Sequence, residues 1–146
     1  MRQALAEAYA DDAAAQPGRP PDQLAHYAVR NGILCAGTHL LFDFYDAKRL
    51  DELSYMDEAL RTAVAEAGAT LLELSLHHFT PYGGISGVAV LAESHLSVHT
   101  WPETGYAGFD AFMCGSAEPR RAGETLKRFF SPSRVILTEH LRGAIS

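Results

Sequence analysis

A Glu-Ser-His triplet interrupts a strand-forming region near the middle of this 146-residue chain. Glu93, Ser94 and His95 stand between two apolar segments, 85–91 and 96–101, whose Val, Ile and Leu residues favour β-structure. Polar residues of this kind interrupt such a region either because they form a turn or because they take part in chemistry. On the triplet alone, a serine in an ordinary turn is the simpler interpretation.

The residues that follow the triplet place polar groups on one face of a predicted strand. His95, Ser97 and His99 alternate with Leu96 and Val98, so the polar and apolar side chains point to opposite faces. A chemically active face and an ordinary solvent-exposed face would both produce this alternation. The pattern therefore leaves the two interpretations equally open.

Cys114 is the second residue that could do chemistry. A lone cysteine is usually a buried, inert thiol, and a reactive one needs a nearby base or cation, for which His99 is the obvious candidate. Tyr106, Asp110 and Phe112 share the parity of Cys114, so one face of this strand carries an acid and a thiol. A Cys–His hydrolase is thus one alternative, although no oxyanion-hole motif accompanies the pair.

The histidine spacings do not predict a metal site. His95 and His99 are four residues apart, which on a strand separates them by about 13 Å, too far to share one ion. His77 and His78 are adjacent and would point to opposite faces.

Composition narrows the function classes. The net charge of −6, without a cluster of Lys and Arg, argues against a nucleic-acid-binding surface. Two cysteines are too few for a disulfide framework, which favours a reducing cytoplasm. No apolar run reaches the roughly 18 residues of a membrane span, and the first residues lack the apolar core of a signal peptide. We expect a cytoplasmic protein without a membrane partner.

The first part of the chain reads as an extension of the folded domain. Pro and Gly interrupt the segment 16–21, so we predict a flexible N-terminal extension over residues 1–35. The remaining residues, 36–146, are enough to bury the core of one domain.

Periodicity in that domain predicts an α+β fold. One apolar helix stripe runs over 56–67, with Ser54 as the predicted N-cap and Gly68 ending it, and a second helix begins at Pro119. Strand patterns fill the remainder in the order β-α-β-β-β-β-α-β. Short connections favour a two-layer sandwich in which two helices pack on one face of a largely antiparallel sheet. A second subunit could cover the other face.

Three motifs carry a resemblance to a known family. Ala92-Glu93-Ser94-His95-Leu96, His99-Thr100-Trp101-Pro102-Glu103 and Cys114-Gly115 match the prokaryotic S-adenosylmethionine decarboxylase proenzymes in type and spacing. The resemblance extends from about Gly37 to Gly143 and is highly specific. It implies a lyase that makes its own pyruvoyl cofactor, and a homodimer with the active site near the subunit interface.

The resemblance assigns roles in maturation of the zymogen. Ser94 would attack the carbonyl of Glu93, and elimination from the resulting ester would give chains 1–93 and 94–146. A pyruvoyl group derived from Ser94 would cap the second chain. His99 and Ser86 would assist, because the shift and elimination require a base and a hydrogen-bonding hydroxyl.

The resemblance also assigns roles in decarboxylation. The pyruvoyl ketone would form a Schiff base with the amine of S-adenosylmethionine and accept electrons as carbon dioxide leaves. Cys114 would return a proton to the α-carbon, Phe79 would stack on adenine, and Glu103 would hold the ribose hydroxyls. The product, decarboxylated S-adenosylmethionine, is the aminopropyl donor of spermidine and polyamine biosynthesis.

Two alternatives stay open beside this function. The same self-made cofactor could act on ornithine or arginine, whose terminal cation would need a carboxylate such as Glu103. A catalytically inactive paralogue that only binds a partner is the other, and the intact Ser94, His99 and Cys114 speak against it.

Overall fold

A six-stranded antiparallel sheet with two helices on one face makes up most of the protein. The computed structural model describes residue 24 and residues 27–145. Its elements, in chain order, are β1 Ala28–Arg30, β2 Ile33–Cys35, β3 Gly37–Tyr45, α1 Leu53–Glu66, β4 Leu71–His78, β5 Ile85–Leu91, β6 Ser94–Trp101, β7 Tyr106–Cys114, α2 Pro119–Phe130 and β8 Arg134–Arg142. From β3 onward this is the predicted order, and the predicted fold class is confirmed.

The strands lie in the order β4-β5-β6-β7-β3-β8, and each neighbouring pair is antiparallel. Alternate residues of the central strands face the helices and form the core. In β3 these are Leu40, Phe42 and Phe44, all buried as the period-2 pattern predicts. The opposite face, here called the open face, has no helix of the described chain against it. Along β6 and β7 it carries His95, Ser97, His99, Tyr106, Asp110, Phe112 and Cys114.

Both helices pack an apolar face against the sheet, and in α1 this face is the predicted stripe. In α1 the buried residues are Met56, Ala59, Leu60, Ala63 and Val64. Gly68 follows α1 with a φ of 76°, the left-handed conformation that commonly ends a helix. Pro119 opens α2, also as predicted. No helix in the described part of the chain is long and apolar enough to cross a bilayer.

The predicted cap of α1 is wrong. Glu52 occupies the N-cap position in extended conformation, and its side chain makes no capping hydrogen bond. Ser54 lies inside the first turn, where its backbone is already helical, so it is not in a position to cap. An ion pair forms here instead, with Arg49 Nε 2.7 Å from Glu52 Oε2.

The flexible extension predicted over residues 1–35 needs a correction for its last eight residues. Strands β1 and β2 pair as a hairpin, and the side chain of Cys35 is completely buried. Leu34 bridges to Ile145 near the end of the chain, which ties the hairpin to the domain. The sequence did not predict this hairpin, because strands of three residues are too short to show a period-2 pattern. The rest of the predicted extension, apart from residues 24 and 27, lies outside the described residues.

Candidate active site

The Glu93–Ser94 peptide lies at a tight turn between β5 and β6. Leu91 and Ser94 are paired across this hairpin, so Ala92 and Glu93 alone form its loop. Glu93 has a φ of 61°, a left-handed conformation that turns usually assign to Gly or Asn. For a glutamate this conformation costs on the order of 1–3 kcal/mol. The chain therefore holds the residue before Ser94 under backbone strain.

Cys114 contacts both residues of this peptide. Its thiol donates to the carbonyl oxygen of Glu93 at 3.0 Å, and its backbone N–H donates to Ser94 Oγ at 3.1 Å. The register of β6 with β7 produces this contact, because it pairs His95 with Phe112 and so brings the end of β7 beside the start of β6. Cys114 thus contacts the Glu93 carbonyl through its thiol and the Ser94 hydroxyl through its backbone.

The environment keeps this thiol protonated. Burial raises the pKa of Cys114 above its ordinary value, and the nearby Glu93 carboxylate raises it further, while the hydrogen bond with Ser94 acts in the opposite direction. A protonated thiol can donate a hydrogen bond or a proton. This state suits an acid better than a nucleophile.

A second group of predicted residues lies at the other end of β6. Ser86 and His99 are directly paired across β5 and β6, and Ser86 Oγ is hydrogen-bonded to His99 Nδ1 at 2.9 Å. They line a cavity of about 300 Å³ together with Phe79 and Glu103. Tyr82 and Trp101 also line this cavity, and the sequence analysis assigned neither of them to a site.

The two groups do not meet within one chain. Ser94 and His99 are five residues apart on the same strand, a separation of about 16 Å at the usual rise per residue. His99 is paired with Gly108 of β7, and Cys114 lies six residues further, or about 20 Å along the strand. The Cys114–His99 pairing considered from the sequence is therefore not formed within the chain, and a Cys–His hydrolase would lack its base here.

A cluster of three titratable side chains lies on the open face. The nearest ligand atoms of His39, His95 and Asp110 all lie within 4.8 Å of one another. The sequence analysis overlooked this cluster because His39 comes from β3, and only the sheet order places it beside β7.

Hydrogen bonding and charge in this cluster favour a neutral His39 rather than a metal ligand. Arg142 Nη1 lies 3.2 Å from His39 Nδ1, and a guanidinium can only donate, so the proton of His39 stays on Nε2. That nitrogen faces Asp110 at 3.7 Å, and His95 Nε2 approaches the same carboxylate at 3.3 Å. Burial lowers the pKa of His39, and the charge of Asp110 opposes that effect. A protonated Nε2 cannot bind a metal ion.

Known proteins share both the sequence and the fold. The sequence profile described as S-adenosylmethionine decarboxylase matches residues 38–143. The S-adenosylmethionine decarboxylase proenzyme of Thermosipho melanesiensis is 46% identical over 110 residues, which cover 73% of this chain and 84% of that protein. The corresponding proenzyme of Thermotoga maritima is 44% identical over 110 residues, with the same coverage.

A solved structure agrees with these sequence matches. The crystal structure of the adenosylmethionine decarboxylase from Aquifex aeolicus superposes with a TM-score of 0.71 at 34% identity, covering 77% of this chain and 94% of that one. The matched residues 38–143 contain the turn at Ser94 and the strand that ends at Cys114. The chain belongs to the S-adenosylmethionine decarboxylase family.

Proposed function

We propose that this protein is a self-processing, pyruvoyl-dependent S-adenosylmethionine decarboxylase, EC 4.1.1.50. It would produce decarboxylated S-adenosylmethionine, the aminopropyl donor for spermidine and polyamine synthesis. Family membership supports the reaction class, and the observation that carries the proposal is the strained Glu93–Ser94 turn contacted by Cys114. We also propose a cytoplasmic location, which the two unpaired thiols Cys35 and Cys114 support.

The proposed maturation begins with an N-to-O acyl shift at this turn. Ser94 Oγ attacks the carbonyl carbon of Glu93, the peptide C–N bond breaks, and the nitrogen of Ser94 becomes a free amine. Elimination then breaks the ester, which releases Glu93 as a carboxylate and leaves dehydroalanine at position 94. Addition of water and loss of ammonia convert that residue to a pyruvoyl group. Relief of the strain at Glu93 favours the first step.

We propose that Cys114 also takes part in this step. Negative charge develops on the Glu93 carbonyl oxygen during the attack, and the Cys114 thiol already donates to that atom. A donor aimed at a developing oxyanion lowers the barrier. After cleavage, a pyruvoyl group at position 94 would supply the ketone and the electron sink that decarboxylation of an amino acid requires. The protonated thiol beside position 94 is then available to protonate the α-carbon.

We predict that Cys114→Ala slows chain cleavage by at least about tenfold and also abolishes most decarboxylation, because both steps use the same S–H group. Cys114→Ser, which retains a donor, should cleave faster than Cys114→Ala. A time course of intact mass after purification at low temperature measures this. Cys35→Ala is the matched control for loss of a buried thiol. Cleavage of Cys114→Ala at the wild-type rate would show that the contact with Glu93 plays no part in processing.

We propose a homodimer in which each active site uses residues from both subunits. Ser94 and Cys114 lie at one end of strands β6 and β7, and His99 with Ser86 lies towards the other end of β6. Two copies packed open face to open face, around a twofold axis that runs across the strands, would bring unlike ends together. Three large apolar side chains of this face are 40–45% exposed in the single chain, which supports a covering subunit: Val90, Trp101 and Ile136.

The cavity at the His99 end suits S-adenosylmethionine. Phe79 is 48% exposed and offers an aromatic surface to adenine. Glu103 lines the same cavity and can accept hydrogen bonds from two ribose hydroxyls. An alkyl diamine such as ornithine, or arginine, could use Glu103 for its terminal cation but gains less from the ring of Phe79. This cavity therefore favours a nucleoside substrate, with ornithine or arginine as the alternative.

Release of labelled carbon dioxide from S-adenosylmethionine, ornithine and arginine tests this choice. We expect release from S-adenosylmethionine alone. Phe79→Ala should raise its KM by roughly two- to tenfold, since aromatic stacking contributes about 0.5–1.5 kcal/mol beyond burial. Leu72→Ala, at an exposed position on β4 away from the cavity, should leave KM unchanged. If ornithine or arginine were consumed and S-adenosylmethionine were not, the protein would be a decarboxylase of that amino acid instead.

A further inference from the structure

An arginine from the N-terminal hairpin holds the segment that follows Cys114. Arg30 Nη2 donates to the carbonyl oxygen of Gly115 at 3.0 Å and to that of Ala117 at 3.2 Å. These contacts join residues 85 and 87 positions apart in the chain. Hydrogen bonds from a charged donor are stronger than those between neutral groups, so one side chain restrains two peptide groups of this segment.

The restrained segment carries the atoms that contact the scissile peptide. Cys114 immediately precedes Gly115 and supplies both the thiol at Glu93 and the backbone N–H at Ser94. The segment turns sharply here, with a φ of 60° at Gly115 and a hydrogen bond from Ala117 N–H to the Cys114 carbonyl at 3.4 Å. That last bond is long for an amide, so the turn itself holds the segment only weakly.

The hairpin that carries Arg30 is held firmly to the domain. Asn31 and Gly32 form its two-residue loop, both with positive φ, as in the tight turns that match the twist of paired strands. Ile145 N–H donates to the Leu34 carbonyl at 2.7 Å, and this bond fixes the second strand to the end of the domain. The side chain of Arg30 therefore extends from a secured strand rather than from a free terminus.

We propose that Arg30 is a positioning residue for chain maturation, holding the loop 115–117 so that Cys114 stays aligned with the Glu93–Ser94 peptide. The inference rests on the proposed self-cleavage. Arg30 lies outside residues 38–143, the part matched by the family profile, so the match to the family assigns it no role. The N-terminal hairpin thereby becomes part of the maturation apparatus.

The first test measures the cleavage rate of the full-length chain. Because small misplacements of reacting groups cost up to about a hundredfold, we expect Arg30→Ala and Arg30→Gln to cleave at least about tenfold more slowly than wild type. Arg30→Lys can still donate to both carbonyls and should remain within about threefold of wild type. Val29→Ala is the matched control, because its side chain is on the same strand and 65% exposed, and it should cleave normally.

The second test does not depend on cleavage. In a Ser94→Ala background, alkylation of Cys114 by iodoacetamide is followed by peptide mass mapping. Arg30→Ala should speed this alkylation, because a loosened loop frees the thiol from Glu93, whereas Arg30→Lys and Val29→Ala should not. This readout stays informative if the alanine variant is less stable, since the comparison with lysine separates positioning from folding.

The outcomes separate this inference from the proposed function. Failure of the wild-type chain to cleave would refute the proposed function and, with it, any role of Arg30 in maturation. Wild-type cleavage together with normal cleavage and unchanged alkylation in Arg30→Ala would overturn the Arg30 inference alone. So would equal slowing in Arg30→Ala, Arg30→Lys and Val29→Ala, because the hairpin would then act only through stability.

Discussion

Replacing Ser94 with alanine should leave the chain full length and reduce release of carbon dioxide from S-adenosylmethionine to the background. Alanine has no hydroxyl to attack the Glu93 carbonyl, so neither the ester nor the pyruvoyl group can form. The effect should be complete, since nothing else in the turn replaces the nucleophile. Gel electrophoresis and intact mass measure the chain, and labelled carbon dioxide measures turnover.

A serine on the same strand provides the matched control for this variant. Ser97 lies on the open face of β6, three residues after Ser94, and none of the maturation contacts described here involves it. Ser97→Ala should therefore be cleaved like the wild type. Cleavage of Ser94→Ala at the same bond would show that the scission does not proceed through the serine ester. It would also contradict the proposal that the pyruvoyl group is derived from Ser94.

Co-expression of two uncleaved variants should restore cleavage of one of them. His99→Ala alone should stay largely uncleaved, because His99 is the proposed base of maturation. In the proposed dimer, a His99→Ala chain paired with a Ser94→Ala chain gains an intact His99 from that partner. This histidine would lie beside the Ser94 of the His99→Ala chain. Random pairing at equal expression puts about half of the His99→Ala chains in mixed dimers, so about half should be cleaved. The mass difference between the variants identifies which chain is cut.

The control partner for this experiment is the double variant Ser94→Ala, His99→Ala. It forms the same dimers but supplies no intact histidine, so it should restore nothing. Cleavage of His99→Ala by itself at the wild-type rate would remove this histidine from maturation. An absence of cleavage in the mixed dimers, with dimers present by size-exclusion chromatography, would contradict a shared active site.

The fold was largely predictable because each element carries a strong local pattern. Leu40, Phe42 and Phe44 alternate with more exposed residues in β3, and α1 buries its predicted stripe. Period-2 and period-3.6 patterns of this kind depend on burial of one face, which the whole domain enforces. Short connections between strands then leave few topologies besides an antiparallel sheet.

Other features depend on distant contacts or on backbone angles and left little trace in the sequence. The hairpin of β1 and β2 is held by contacts with the end of the chain, and the cluster around Asp110 depends on the sheet order. The strain at Glu93 follows from the length of the turn, because the pairing of Leu91 with Ser94 allows only two loop residues.

The arrangement of the candidate site was also only partly predictable from the sequence. The motifs singled out Ser94, His99 and Cys114, but not their grouping. The strand register places Cys114 beside the Glu93 carbonyl, and the length of β6 puts His99 far from Ser94. Ser94 and His99 are five residues apart on one strand, so their separation follows from the sequence. The sequence does not show that Cys114 joins Ser94, because the register between two strands is not given by their spacing along the chain.

The intact mass of the purified wild-type protein tests the central claim most directly. The account predicts two chains, residues 1–93 with an ordinary carboxyl terminus and residues 94–146 with a pyruvoyl group in place of the amino-terminal serine. Sodium borohydride should reduce that ketone and increase the mass of the second chain by two hydrogens. A single chain of 146 residues that persists after prolonged incubation would contradict the account.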